Sequence, residues 1–75
     1  VQWNLIITRK ENHLKQEDLA ELLNISTDAY GLKERGQVQF KADEMFMLSE
    51  YFGKSIEQLF LPSNFGNTEK MEVRA

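Results

Sequence analysis

Residues 14–36 read LKQEDLAELLNISTDAYGLKERG, and the way this stretch divides decides the fold. Leu19, Ala20, Leu22 and Leu23 recur at helical spacing, with Glu17, Asp18 and Glu21 between them. That pattern predicts an amphipathic helix from Gln16 to Leu23. Asn24-Ile25-Ser26 forms a tight three-residue turn. The Ser26 hydroxyl can accept an early backbone N–H and so start a second helix, Thr27 to Glu34. Gly36 then suits a left-handed residue that closes it. Ala20 is the small residue at the point where the two helices would cross.

Two helices at that spacing make a helix-turn-helix, whose second helix is the element offered to a DNA major groove. The flanking chain continues the helical theme. A helix is expected from about Trp3 to Asn12, with Leu14 anchoring the loop that follows. Gln37 to Lys41 reads as a loop. A fourth helix runs from Ala42 to Phe52, with Met45, Leu48 and Phe52 as its core side chains. Asp43 and Glu44 stand in its first turn, where the helix dipole favours them, and Gly53 ends it. Ser55 followed by Gln58 is a capping box for a fifth helix with Ile56, Leu59 and Phe60 inward, stopped by Pro62. From Ser63 the chain is polar, and a loose tail with a short strand at Met71–Arg74 is expected. The domain is therefore placed at residues 1–62 and the tail, partly disordered or engaged in dimerisation, at 63–75.

Composition narrows the function. Seventy-five residues make one domain, and 41% hydrophobic residues with eight aromatics suffice for a small helical core. There is no cysteine, which excludes disulfides and thiolate metal sites. A single histidine, His13, is expected exposed in the turn after the first helix and makes no metal site. No apolar run exceeds four residues, so neither a membrane span nor a signal-peptide core is expected, and the compartment is read as the cytoplasm. The net charge of −3 weighs against nucleic acid, because phosphate neutralisation supplies much of a DNA binder's affinity. Both halves are slightly acidic, so a DNA-binding role requires basic residues focused on one face or two copies acting together. No phosphate-binding glycine loop and no nucleophile–base arrangement is visible, so an enzyme is not expected.

Four segments in order, Arg9-Lys10, LKQEDLAELLNIS, Glu34-Arg35-Gly36 and YFGKSIEQLF, resemble the phage repressor/Cro-type helix-turn-helix domains, the XRE family. The likeness spans about residues 3 to 61. It implies an all-α, compact five-helix lambda-repressor-like domain that binds operator DNA, usually as a homodimer, with no cofactor and no small-molecule ligand. It further implies that Arg9 and Glu34 form an ion pair joining the first helix to the end of the third. Gln16 would bond a phosphate and brace the first residue of the reading helix. Thr27, Asp28 and Leu32 would face base edges, and Arg35 and Gln37 would touch the DNA backbone.

The departures from the family pattern bear on those roles. Lys15 replaces the usual polar cap before the second helix and can serve as a phosphate contact. Lys33 stands at a position the family fills with a large apolar residue, while Leu32 takes a normally polar, DNA-facing one. Two arrangements fit: Lys33 buries its stem and extends its amine outward to a phosphate, or the helix rotates and Leu32 packs inward. Gly31 weakens the third helix by ~1 kcal/mol relative to alanine. Phe40 stands where proline is frequent, and Lys41 replaces a usual cap.

The candidate reading chemistry is thin. Thr27 and Leu32 can meet a thymine methyl, and Asp28 can accept from cytosine N4 or serve only as a helix N-terminal charge. Specificity would then rest partly on Arg35, Gln37 and Gln39, or on DNA shape. Tyr30 is expected in the core. Met47, Phe60, Leu61 and Phe65 are assigned to a dimer surface, since exposed apolar patches mark association sites. The alternative is a protein-interaction module on the same fold, such as an antirepressor or an antitoxin-like partner.

Overall fold

A computed structural model describes residues 1–60 of the chain. Five helices follow one another: α1 (Trp3–Glu11), α2 (Gln16–Leu23), α3 (Thr27–Glu34), α4 (Ala42–Phe52) and α5 (Ile56–Leu59). The described residues contain no strand. The bounds of α2, α3 and α4 are those expected from apolar spacing, the turn at Asn24 and the glycines. The expected tail and its strand at Met71–Arg74 lie outside the described residues.

The starts of α2, α3, α4 and α5 are satisfied locally. Ser26 Oγ accepts from the Ala29 N–H at 3.0 Å, the N-cap bond expected of α3. Ser55 Oγ accepts from the Gln58 N–H while Gln58 Oε1 accepts from the Ser55 N–H, so the capping box is complete. Where lysine replaces a capping residue, the third residue of the helix compensates. Asp18 Oδ2 accepts from the Lys15 N–H at 2.7 Å, and Glu44 Oε1 accepts from the Lys41 N–H at 2.9 Å. Gly36 and Gly53 adopt left-handed φ values of +85° and +67°, closing α3 and α4. Asn24 takes the same region in the turn between α2 and α3, which asparagine tolerates better than most residues.

The core is built from Leu5, Leu19, Ala20, Leu23, Tyr30, Phe40, Leu48, Leu59 and Phe60, with Met45, Phe52 and Ile56 partly buried against it. Ala20 is buried where α2 and α3 pack. Phe40 joins the aromatic centre: its ring stands edge-on to Tyr30 at 5.9 Å and to Phe60 at 5.2 Å. Such pairs add about 0.5–1.5 kcal/mol beyond burial.

Phe60 carries two expectations, an inward place on the fifth helix and a part in a dimer surface; its burial agrees with the first and corrects the second. The helix ends at Leu59, and Phe60 takes extended backbone (φ −114°, ψ 131°). That turn swings its ring into the core, where it is fully buried. Met47 remains exposed as assigned, whereas Leu61 and Phe65 lie outside the described residues.

Candidate nucleic-acid interface

The third helix divides lengthwise into an inner and an outer side. Tyr30, Lys33 and Glu34 point inward and are buried; Thr27, Asp28, Leu32 and Arg35 are exposed. Residues three, four and seven apart share a helix face, so Asp28, Gly31, Leu32 and Arg35 form one stripe.

The inner side is held by Glu34. Arg9 donates to both of its carboxylate oxygens, Nε to Oε2 at 2.8 Å and Nη2 to Oε1 at 3.2 Å. Gln16 Nε2 donates to Oε1 and the Tyr30 hydroxyl to Oε2, each at 2.8 Å. One carboxylate thus ties α1, α2 and α3 together. Arg9 also donates through Nη1 to the Leu14 carbonyl, fixing the turn before α2, and the Gln2 N–H donates to the Glu34 carbonyl. Burial alone would raise the Glu34 carboxyl, but the hydrogen bonds from Arg9, Gln16 and Tyr30 outweigh it and hold the group below its ordinary value. The Tyr30 hydroxyl moves the other way, pushed up by burial and then by the neighbouring carboxylate. The Arg9–Glu34 pair expected from the sequence is present. Gln16 differs in its partner: it braces the last residue of α3, not the first.

Lys33 takes neither arrangement that its sequence context allows. Its side chain is buried, and its ammonium lies 2.6 and 2.7 Å from the two carboxylate oxygens of Glu44 in α4. Assigned as a DNA contact, it is turned away from the face that carries the other candidates. The reason is electrostatic: a buried ammonium demands a partner, and Glu44 supplies one while also capping α4 through the Lys41 N–H. Leu32 keeps its outward position, 36% exposed.

On the outer side Gln16, Thr27, Asp28, Gly31, Leu32 and Arg35 line one concavity of about 290 Å³. Five of the eight candidate DNA contacts therefore meet at one place. Lys15 and Gln37 are exposed but do not line it, and Lys33 is on the far side of the helix. Gln37 is held near by its backbone N–H, which donates to the Leu32 carbonyl at 2.9 Å. Gly31 is the lining residue that sequence reasoning passed over. A Cβ built on it would lie 3.2 Å from Arg35 Nη1 and 3.5 Å from Gln16 Oε1, so the Arg35 guanidinium rests on the space that glycine leaves. A glycine inside a helix was the visible signal.

A second surface lies on α4 and α5. Phe46, Ser49, Ser55, Ile56 and Glu57 line a shallow, mainly apolar hollow of about 660 Å³. Phe46 is 58% exposed, and Met47 and Tyr51 are exposed beside it on α4. Among the described residues no group of histidines and carboxylates is placed to hold a metal, and no helix is long and apolar enough to cross a membrane.

A family model described as helix-turn-helix matches residues 5–59. No curated protein and no solved structure matches the chain.

Proposed function

The chain belongs to the XRE helix-turn-helix family, of the phage repressor/Cro type, a family that suggests a DNA-binding regulator; from that premise we propose that it is a sequence-specific, double-stranded DNA-binding repressor. In this reading α3 enters the major groove of an operator half-site. The observation that carries it is the division of α3: an inner side tied to α1 and α2 by Glu34, and an outer side free to meet a groove at Thr27, Asp28, Leu32 and Arg35. Lys15 and Gln37 flank that face and suit phosphate contacts, which set register rather than read sequence. Repression would follow from occupying a promoter in the cytoplasm.

The net charge of −3 leaves one copy with little attraction for DNA, and two copies acting together would double the phosphate contacts. The apolar hollow beside Phe46, with Met47 and Ile56, is the surface that suits a homodimer. Two copies of α3 would then address successive major grooves about 34 Å apart on a near-palindromic site.

One observation favours a different class. Asp28 places a carboxylate in the middle of the outer face, and the whole chain is acidic. Both features suit a basic protein partner, as in an antirepressor or an antitoxin-like module. Titration with genomic fragments at two salt concentrations separates the two. A site-selective complex that weakens steeply with salt is expected of the DNA binder. The absence of any preferred fragment at low salt would reject it.

A further inference from the structure

Arg35 stands at the end of α3, yet its side chain runs back along the helix, as helical side chains do, so that the guanidinium lies over Gly31 one turn earlier. Gly31 is an unfavourable choice inside a helix. A larger residue would press on Nη1 at 3.2 Å. Among the described residues the Arg35 guanidinium and the Asp28 carboxylate each have no ion-pair or side-chain hydrogen-bond partner. Both line the same concavity, with Gln16, Thr27 and Leu32.

That combination does not suit a phosphate. The DNA backbone offers negative charge and acceptors only, and Asp28 would repel it. The major-groove edge of a G·C pair offers both complements: guanine O6 and N7 accept, and cytosine N4 donates. The spacing fits as well. Gly31, under the guanidinium, is three residues from Asp28, a rise of about 4.5 Å along the helix, close to the roughly 3.4 Å between stacked base pairs. We propose that Arg35 is a base-reading residue, donating from its fork to guanine O6 and N7. Asp28 accepts from cytosine N4 of the same or the adjacent pair, and Gly31 is the positioning residue that lets Arg35 reach. This inference rests on the DNA-binding reading above and adds what the site selects.

Selection from a random double-stranded DNA pool tests it on the whole chain. The native protein is expected to fix a G·C pair at one position in each half-site, preferred over A·T by roughly 5- to 150-fold, the range of a single bidentate pair. Arg35→Ala should lose that preference and keep the others, and Arg35→Lys should weaken it, because lysine can reach guanine but lacks the fixed fork. Asp28→Ala should relax the cytosine requirement. Gly31→Ala should melt no earlier than the native protein yet show a reduced G·C preference, which separates reading from folding. If Arg35→Ala weakens all sequences by one common factor and the G·C pair stays fixed, Arg35 is a phosphate contact and the proposal fails. An unchanged preference in Gly31→Ala removes that residue from the mechanism. A native protein that selects a site without a G·C pair overturns the proposal and leaves DNA binding standing; one that selects nothing overturns the DNA reading itself.

Discussion

The ammonium of Lys33 and the carboxylate of Glu44 meet inside the protein, at 2.6 and 2.7 Å, and so join α3 to α4 by charge where the family pattern puts an apolar side chain. Each partner is also well placed on its own helix: Lys33 in the last turn of α3 and Glu44 in the first turn of α4, the ends whose dipoles favour those signs. Removing one partner leaves the other buried and unpaired. Lys33→Met is expected to cost about 3–5 kcal/mol in urea unfolding, whereas the double variant Lys33→Met with Glu44→Leu should be neutral or up to roughly 4 kcal/mol more stable. A double variant as unstable as the single one would show that the pair contributes net stability.

Lys15 and Lys33 were equal candidates as phosphate contacts, and their positions now predict opposite behaviour. Lys15→Ala should leave the melting temperature unchanged and reduce the salt dependence of DNA binding by about 0.9 in log–log slope for each copy bound. Lys33→Ala should lower the melting temperature. Equal effects of the two variants on the salt slope would contradict the buried position of Lys33.

Glu34 predicts the acid limit of the fold. Its folded value lies below its ordinary one, so the unfolded chain binds a proton at a pH where the native protein does not. The stability it contributes is fully present above the unfolded value of about 4.3 and is lost as pH falls through the folded value. Urea midpoints measured from pH 7 to pH 3 should fall more steeply for the native protein than for Glu34→Gln. Parallel curves would assign the acid transition to other carboxylates.

The caps give a separate check. Ser26→Ala should destabilise the protein by about 0.5–2 kcal/mol, and Ser26→Gly by only a few tenths, as read by thermal melting. An equal loss from both would indicate that Ser26 acts through something other than its bond to the Ala29 N–H.

The helices were legible because their signals are local. Ser26, Ser55, Gly36 and Gly53 each act within a turn of their own position and mark the ends of α3, the end of α4 and the start of α5, while α2 shows in its apolar spacing. The Arg9–Glu34 pair, between residues far apart in sequence, was legible only through the resemblance. Lys33 was not, because its inward position depends on Glu44, a partner in another helix that no periodicity reveals. For Phe60 helical spacing gave the inward place, and it is the added dimer-surface assignment that fails, because its ring is fully buried in the core. On the outer face, Thr27, Asp28, Leu32 and Arg35 could be placed, but the link between Gly31 and Arg35 depends on where one side chain lies in space.

The lengthwise division of α3 has a consequence for how such a protein can change. Glu34, Tyr30 and Lys33 commit the inner side to fixed partners, while Thr27, Asp28, Leu32 and Arg35 commit the outer side to none among the described residues. Orientation and preference are thus encoded in different side chains of one short helix and its C-cap, Arg35. A new address can be written on one without disturbing the hinge-pin of the other, which makes this helix a natural place to graft a different recognition code.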